Sequence, residues 1–272
     1  MKTIGFIGAG QMAQALASGI AKTNCDKEAA DKVQFFISDP NAEACSAFAN
    51  LIGDAAQVTK ADDNQTVVTQ CEIAFLAVKP QYVRDAVAGV DFAATTPLVV
   101  SIVAGVQIGQ LNRLTNIDRI IRVMPNTPCL IGQGASAIAP SEEVTPGDVE
   151  LIKSFLGSVG TVVEVSENLI DSVTGVSGSG PAYVYTFIEA MIDGGVLTGM
   201  PRAIARELAI QTVIGSALMV KETGEHPAVL RDRVTSPGGT TIEAMKSLEE
   251  SSFRDAVMAA VFAATNRSQE LG

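Results

Sequence analysis

The stretch that decides the fold is "TIGFIGAGQMAQALASG", residues 3–19. A short apolar run ends in the pattern Gly8-x-Gly10-x-x-Ala13, and a helix-forming segment follows at once. In such a pattern the first glycine permits a tight turn, the second lets the backbone approach a pyrophosphate, and the small third residue allows close helix packing. The stretch predicts dinucleotide binding, the alternative being a purely structural turn.

The first part of the chain alternates apolar runs with helix-length segments, which is typical of a parallel βαβ sheet. The predicted strands are Thr3–Ile7, Val33–Ser38, Ile73–Val78, Leu98–Val103, Arg119–Val123 and Thr161–Val165. Because the glycine pattern follows the first strand, residues 1–165 are predicted to form an α/β Rossmann domain.

From about Ser166 the β-branched runs stop, and residues 166–272 are predicted to form an all-α domain that binds substrate and dimerises. The predicted helices are Glu167–Gly175, Pro181–Leu197, Pro201–Lys221, Pro227–Arg233, Thr240–Glu249 and Ser252–Leu271. Segments 213–220 and 256–264 are apolar nearly all round, so they need cover on every side. We therefore predict a homodimer or larger assembly; the alternative is a helix central to its own domain.

The composition and net charge of the chain limit the classes of partner that it is expected to bind. The chain has 272 residues, 47% of them hydrophobic, and a formal net charge of -11, which argues against nucleic acid or an anionic membrane as the main partner. No segment is expected to cross a bilayer, and a cytoplasmic location is expected. The cysteines Cys25, Cys45, Cys71 and Cys129 are scattered and His226 is the single histidine, so no metal site is predicted and the thiols are expected to be reduced and partly buried.

Residue types at the carboxyl ends of the predicted strands indicate which cofactor is bound. Asp39 follows the second strand, where a carboxylate holds the ribose hydroxyls of NAD, and this favours NADH; the alternative is that Asp39 caps the next helix. Lys79 follows the third strand and is interpreted as a phosphate or ribose neighbour, with a catalytic base as the alternative. The loop "RVMPNTP", residues 122–128, is either a wall of the nicotinamide pocket or a plain turn.

The absence of common catalytic motifs from the sequence indicates the type of reaction. The sequence holds no Ser-His-Asp set and no HExxH pattern. A ketone or alcohol substrate would demand a clear general acid or base, whereas a protonated imine is activated before it arrives. The sequence therefore favours hydride transfer to a C=N bond.

Two glycine-rich segments of the second half are candidates for substrate binding. In "DSVTGVSGSGPAYV", residues 171–184, the hydroxyls of Thr174, Ser177 and Ser179 lie among glycines, which suits a small ligand or a simple helix-to-helix turn. "SPGGTT", residues 236–241, breaks one helix and starts another at Thr240 or Thr241, and the free N–H groups of a helix start attract an anion.

The blocks GFIGAGQMA, AVKP, VAGV, RVMPNTP, VTGVSGSGPAYV, TGEHP and SPGGTTIEA, in this order, resemble the pyrroline-5-carboxylate reductase family from Ile4 nearly to the end of the chain. The resemblance implies a Rossmann domain followed by a dimerising helical domain of the 6-phosphogluconate-dehydrogenase type, with dimers often assembling into decamers. It also implies hydride transfer from NAD(P)H to the imine carbon of 1-pyrroline-5-carboxylate, giving L-proline.

Carried over by position, the resemblance assigns the cofactor to Ile7, Gly8, Ala9, Gly10, Gln11, Met12, Asp39, Asn64, Ala77, Val78, Lys79, Pro80, Val103, Ala104 and Gly105. The substrate carboxylate would meet Gly239, Thr240 and Thr241. Thr174 matches the threonine that faces the ring nitrogen, for orienting or proton-donating work.

One departure from the family concerns the cofactor. Many members carry a small neutral residue at the position of Asp39, so we predict a preference for NADH. The alternatives are a reductase of another cyclic imine acid and a non-catalytic dinucleotide sensor. A β-hydroxyacid type dehydrogenase is disfavoured because residues 178–195 contain no lysine.

Overall fold

The structure is a computed structural model that describes residues 2–24 and 33–271. The chain divides into two compact units, one formed by Met1–Ser179 together with Ala263–Gly272 and the other by Gly180–Phe262. The predicted boundary between residues 165 and 166 marks the end of the last strand and stays a prediction.

The first unit is built on one twisted sheet, which has eight strands among the described residues. They are β1 Lys2–Ile7, β2 Val33–Ser38, β3 Gln57–Lys60, β4 Ile73–Leu76, β5 Leu98–Ser101, β6 Ile120–Met124, β7 Gly134–Pro140 and β8 Gly160–Glu164. Their order across the sheet is β3-β2-β1-β4-β5-β6-β7-β8. The first six follow the 3-2-1-4-5-6 order of a Rossmann fold, so the predicted fold class is confirmed.

All six predicted strands are present; Val33–Ser38 matches at both ends, and no end of the others differs by more than two residues. Two strands were not predicted, Gln57–Lys60 and Gly134–Pro140. The predicted strands were expected to be parallel, but β6 and β7 run antiparallel, and β8, which is parallel to β7, therefore runs opposite to β1–β6. A short hairpin-like return from β6 is sufficient to join an antiparallel pair, whereas a parallel pair needs a long crossover.

Successive residues of the central strands point to opposite faces of the sheet and build two separate cores. Phe6 and Phe75 stack with ring centroids 4.7 Å apart and belong to one core, while their neighbours Ile7 and Leu76 belong to the other. The helices of this part are α1 Gln11–Asn24, α2 Ala42–Ile52, α3 Asn64–Gln70, α4 Val83–Val87, α5 Ile108–Thr115 and α6 Pro146–Gly157. Helices α1, α2 and α6 cover the first face and α3, α4 and α5 the second.

The ends of three strands meet at Gly8. Its N–H donates to Ser38 O at 2.8 Å, and Ala77 N–H donates to Ile7 O at 2.8 Å. Gly8 has a φ of +101°, and a Cβ there would lie 2.7 Å from Ala77 O. Only glycine accepts this backbone angle and this close approach without strain.

A short helical stretch closes the continuous part of the first unit. It contains a 3₁₀ turn at Glu167–Leu169, α7 at Ile170–Val173 and a π-helical turn at Thr174–Gly178. The end of the last helix of the chain, from Ala263, also belongs to this unit.

The second unit consists of helices that leave most of their apolar side chains uncovered. Its helices are α8 Gly180–Leu197, α9 Arg202–Thr223, α10 Pro227–Arg233, α11 Thr240–Glu250 and the first part of α12 Phe253–Leu271. Within the described residues of this unit, Ala205 and Ala209 are the only buried hydrophobic side chains. Met219 is 52% exposed and Phe262 is 68% exposed, as expected for helices whose cover comes from outside the subunit.

Helix α9 requires a correction to the sequence interpretation. By length and composition alone Arg202–Thr223 could cross a membrane, although no segment was expected to qualify. The same apolar surface suits a subunit interface, because a helix without a polar face has to be covered by protein or by lipid.

We expect Gly8→Ala to destabilise the protein by about 1–3 kcal/mol, because the new Cβ meets Ala77 O at an unfavourable φ. The measurement is the thermal midpoint, which should fall by roughly 2–10 °C. Gly10→Ala is the matched control, since a Cβ at Gly10 meets no atom within 4 Å. An equal loss in both variants would contradict the role given to Gly8.

Candidate functional site

A cleft of about 1050 Å³ opens at the carboxyl ends of β1, β2 and β4. Ligands of open α/β sheets bind at this edge, where the strand order reverses. The predicted cofactor residues that line it are Ile7, Gly8, Gly10, Asp39, Asn64, Ala77, Val78 and Lys79. The cleft is also lined by residues that the sequence interpretation did not name, among them Lys60, Asp62, Asp63 and Asp85.

The glycine turn forms a cradle with room for a ligand. A Cβ on Gly10 would meet no atom within 4 Å, so the backbone there faces open space. Ala13, three residues later, is 1% exposed and packs into the core beneath helix α1. Open space above the turn and a helix N-terminus behind it fit the pyrophosphate of a dinucleotide.

Asp39 lies at the rim of this cradle and is held by two backbone N–H groups. Its Oδ2 accepts from Ala9 N at 2.8 Å and its Oδ1 from Asn41 N at 2.8 Å. The alternative that Asp39 caps the next helix is wrong, because Asn41 is the N-cap of α2 and accepts from Glu43 N and Ala44 N. Each Asp39 oxygen keeps a further lone pair with which it can accept a ribose hydroxyl.

The remaining cofactor candidates are not among the residues that line this cleft. Gln11 begins α1 and Met12 is half-buried behind it, whereas Val103 is 2% exposed and contributes to the core. Ala104 and Gly105, with Pro80, line a second cavity of about 920 Å³. The structure therefore brings most, but not all, of the predicted cofactor residues into one cleft.

Thr174 and Ser177 lie in the π-helical turn, which joins α7 directly to α8. Ser179 N donates to Thr174 O at 2.8 Å, the i+5 spacing of a π-helix. The predicted helix end at Gly175 is therefore wrong: the helix widens for one turn instead of stopping. Such π turns are frequent at functional sites.

The hydroxyl groups of this turn have their protons committed to the helix itself. Thr174 Oγ1 donates to Ile170 O at 2.9 Å, and Ser177 Oγ donates to Val173 O at 3.1 Å. In this arrangement each oxygen presents lone pairs, so it acts as an acceptor toward a ligand. Ser179, the third predicted residue, ends the turn and is partly buried.

Two residues of the RVMPNTP segment, Arg122 in β6 and Asn126 in the loop after it, contact this region, although no individual role was predicted for either. Arg122 is 3% exposed and lies 3.3 Å from Glu167 Oε1 and 3.9 Å from Asp171 Oδ1. Asn126 Nδ2 donates to Ser177 O at 3.1 Å. A buried guanidinium requires carboxylate partners, and Arg122 in the quoted motif was the one signal that could have indicated them.

The SPGGTT segment belongs to the second unit. Gly238 has a φ of +64°, and Gly239 is the N-cap of α11 with no side chain to cap it. A Cβ on Gly239 would collide with Ser236 Oγ. Helix α11 begins at Thr240, as predicted, so its first N–H groups are available to an anion with the helix dipole behind them.

The described part of the chain contains no cluster of three or more potential metal ligands. His226 caps α10 by accepting a hydrogen bond from Ala228 N.

Cys45 and Cys71 are not candidates for nucleophilic catalysis. Cys45, Cys71 and Cys129 are free and buried, while Cys25 lies outside the described residues. Burial raises the pKa of the Cys71 thiol to about 12, and burial together with the Asp39 carboxylate raises the pKa of Cys45. Both thiols stay protonated near neutral pH, and the thiolate is the nucleophile.

Comparison with known proteins gives family matches to both parts of the chain. Residues 167–271 match the family described as pyrroline-5-carboxylate reductase dimerisation, and residues 3–105 match NADP oxidoreductase coenzyme F420-dependent. The chain is 46% identical to a pyrroline-5-carboxylate reductase of Synechocystis sp., over 99% of this chain and 98% of the relative.

Solved structures agree with the sequence comparison. A Plasmodium falciparum pyrroline carboxylate reductase with NADP bound is 34% identical with a TM-score of 0.85, covering 100% of this chain and 98% of that one. A Coxiella burnetii pyrroline-5-carboxylate reductase is 32% identical with a TM-score of 0.88, covering 99% and 98%.

Proposed function

The chain belongs to the pyrroline-5-carboxylate reductase family, an NAD(P)H-dependent oxidoreductase family acting on a C=N bond, and from that membership we propose how its residues share the reduction of 1-pyrroline-5-carboxylate to L-proline. The bound dinucleotide supplies a hydride to the imine carbon, and the C=N π electrons pass to the ring nitrogen, which arrives protonated. The observation that carries the proposal is the hydroxyl geometry of the π turn, which suits a protonated imine.

Thr174 is proposed to orient the substrate by accepting a hydrogen bond from the ring N–H. Its own proton is donated to Ile170 O, so its oxygen offers lone pairs and not a proton. A protonated imine carries the complementary donor. Two roles for Thr174 were expected from the sequence, orienting the substrate and donating a proton. The direction of its hydrogen bond favours the orienting role. Ser177 has the same arrangement and is proposed as a second substrate contact.

The substrate carboxylate is assigned to the start of α11. Gly239 leaves the helix end without a side-chain cap, and the N–H groups at Thr240 and Thr241 supply donors. Gly238 adopts a positive φ that places this segment without a Cβ penalty.

The dinucleotide is proposed to lie in the cleft of β1, β2 and β4, with the pyrophosphate at Gly8 to Met12. The charged side chains that line this cleft are Asp39, Asp62, Asp63 and Asp85 against Lys60 and Lys79. An excess of carboxylates near the ribose opposes a 2′-phosphate, which supports a preference for NADH over NADPH.

The subunits are proposed to dimerise through the helices of residues 166–272, and the dimers to assemble further, with a decamer as the specific expectation. The uncovered apolar side chains of α9 and α12 support this assembly. A cytoplasmic location and a lack of nucleic-acid or membrane partners are proposed with it. The particle mass in solution tests the number of subunits.

The function is tested by following NADH and NADPH oxidation with 1-pyrroline-5-carboxylate and with its six-membered homologue. We expect fast oxidation with the five-membered acid. If the six-membered acid were preferred, the enzyme would reduce another cyclic imine acid. If the protein bound NADH but oxidised it with neither acid, the sensor alternative would be correct.

We expect a neutral carboxamide of the substrate to bind much more weakly than the acid, because the start of α11 offers N–H donors and a positive dipole end. The measurement is the inhibition constant of proline against that of prolinamide. Equal inhibition would show that this segment does not bind the carboxylate, even if the reaction is correct.

Thr174→Val removes the hydroxyl and keeps the shape of the side chain. A hydrogen bond to a charged group contributes about 1.5–3 kcal/mol, so kcat should fall roughly tenfold to hundredfold. The affinity for NADH, measured by fluorescence titration, should stay the same. Thr174→Ser keeps the hydroxyl and should retain most of the activity. An unchanged rate in Thr174→Val would remove Thr174 from the mechanism.

Asp39→Ser should move the cofactor preference toward NADPH by about tenfold or more in the ratio of kcat/KM values, because it removes one charge that opposes the 2′-phosphate. Steady-state kinetics with both cofactors measure this ratio. A wild-type protein that already strongly favours NADPH would contradict the assignment.

A further inference from the structure

Three side chains on one face of the β6 extension contact the segment that carries Thr174. In extended backbone, residues i, i+2 and i+4 point to the same side. Arg122 and Met124 lie in β6, and Asn126 continues in the extended conformation with φ -131° and ψ 166°. All three residues contact the segment 167–178.

The first two contacts fix the beginning and the end of that segment. Buried Arg122 pairs with Glu167 and Asp171, and Asp171 Oδ1 also accepts from Ser268 Oγ at 2.6 Å. Met124 packs against Gly178 so closely that a Cβ there would lie 2.5 Å from Met124 Cε. Between these points the π turn departs from the α-helical pattern, with Ser179 N donating to Thr174 O five residues back.

Asn126 holds the π turn itself. Its Nδ2 donates to Ser177 O at 3.1 Å and its Oδ1 accepts from Ala135 N at 2.8 Å. Because one partner is a carbonyl and the other an N–H, only this orientation of the amide satisfies both. The residue is 9% exposed, so neither bond is easily replaced by water. The side chain thereby joins the π turn to strand β7.

We propose that Asn126 is a positioning residue for the reaction, acting through the π turn to hold Thr174 Oγ1 where it accepts from the substrate. The proposal rests on the function assigned above. A catalytic group displaced by about 1 Å can lose on the order of a hundredfold in rate. The alternative is a structural bond whose loss changes stability only.

The test compares Asn126→Ala with Asn112→Ala. Asn112 Nδ2 also donates to a backbone carbonyl at 3.1 Å, that of Ile117, at the end of α5. We expect Asn126→Ala to lower kcat by about tenfold to hundredfold with the Kd for NADH within about twofold. Asn112→Ala should keep the wild-type kcat. Asn126→Asp, which replaces the donor by an acceptor facing Ser177 O, should behave like Asn126→Ala.

A double-mutant cycle shows whether Asn126 affects kcat through Thr174 or independently of it. If Asn126 acts through Thr174, adding Asn126→Ala to Thr174→Val should lower kcat by less than about threefold more. Effects that multiply in full would overturn the proposal.

Amide hydrogen exchange tests whether Asn126 holds the π turn, and this measurement does not require turnover. Peptides covering residues 170–180 should exchange faster in Asn126→Ala and at the wild-type rate in Asn112→Ala. Unchanged exchange in Asn126→Ala would overturn the proposal. If the wild type failed to reduce the imine acid, the proposed function would fall, while the exchange result would still decide whether Asn126 fixes the turn.

Discussion

The close approach of Gly8 to the Ala77 carbonyl oxygen is the constraint on which the first unit depends. It lets β1 end between β2 and β4, with Gly8 N bonded to Ser38 O and Ala77 N bonded to Ile7 O. The same meeting of strand ends places Asp39 within hydrogen-bond distance of Ala9 N. One residue without a side chain thus shapes both the centre of the sheet and the rim of the cofactor cleft.

Strands with an apolar run could be predicted from the sequence, and the two that lack one could not. Gln57–Lys60 is a polar, partly exposed edge strand that buries too little to need a hydrophobic pattern. Gly134–Pro140 consists largely of small residues and becomes a strand because β6 and β8 pair with it on either side. Such pairing is a long-range effect that local periodicity does not contain.

The candidate site shows the same division. Its glycine turn, Asp39, Thr174 and the start of α11 were recognisable, because each is a local pattern of residue types. The π turn was predicted as a helix end, since Gly and Ser among helix formers indicate a break equally well. The contacts of Arg122 and Asn126 with residues 167–178 span more than forty residues of sequence, so only the folded chain could place them there.

Because the helices of the second unit are largely uncovered, the stability of the protein depends on its concentration. A subunit whose Ile214, Met219, Met258 and Phe262 stay 46–68% exposed gains much of its hydrophobic stabilisation only when another chain covers them. By mass action the free energy of unfolding then depends on the subunit concentration. Dilution therefore lowers the free energy of unfolding. A thermal midpoint of this protein is meaningful only when the subunit concentration is stated with it.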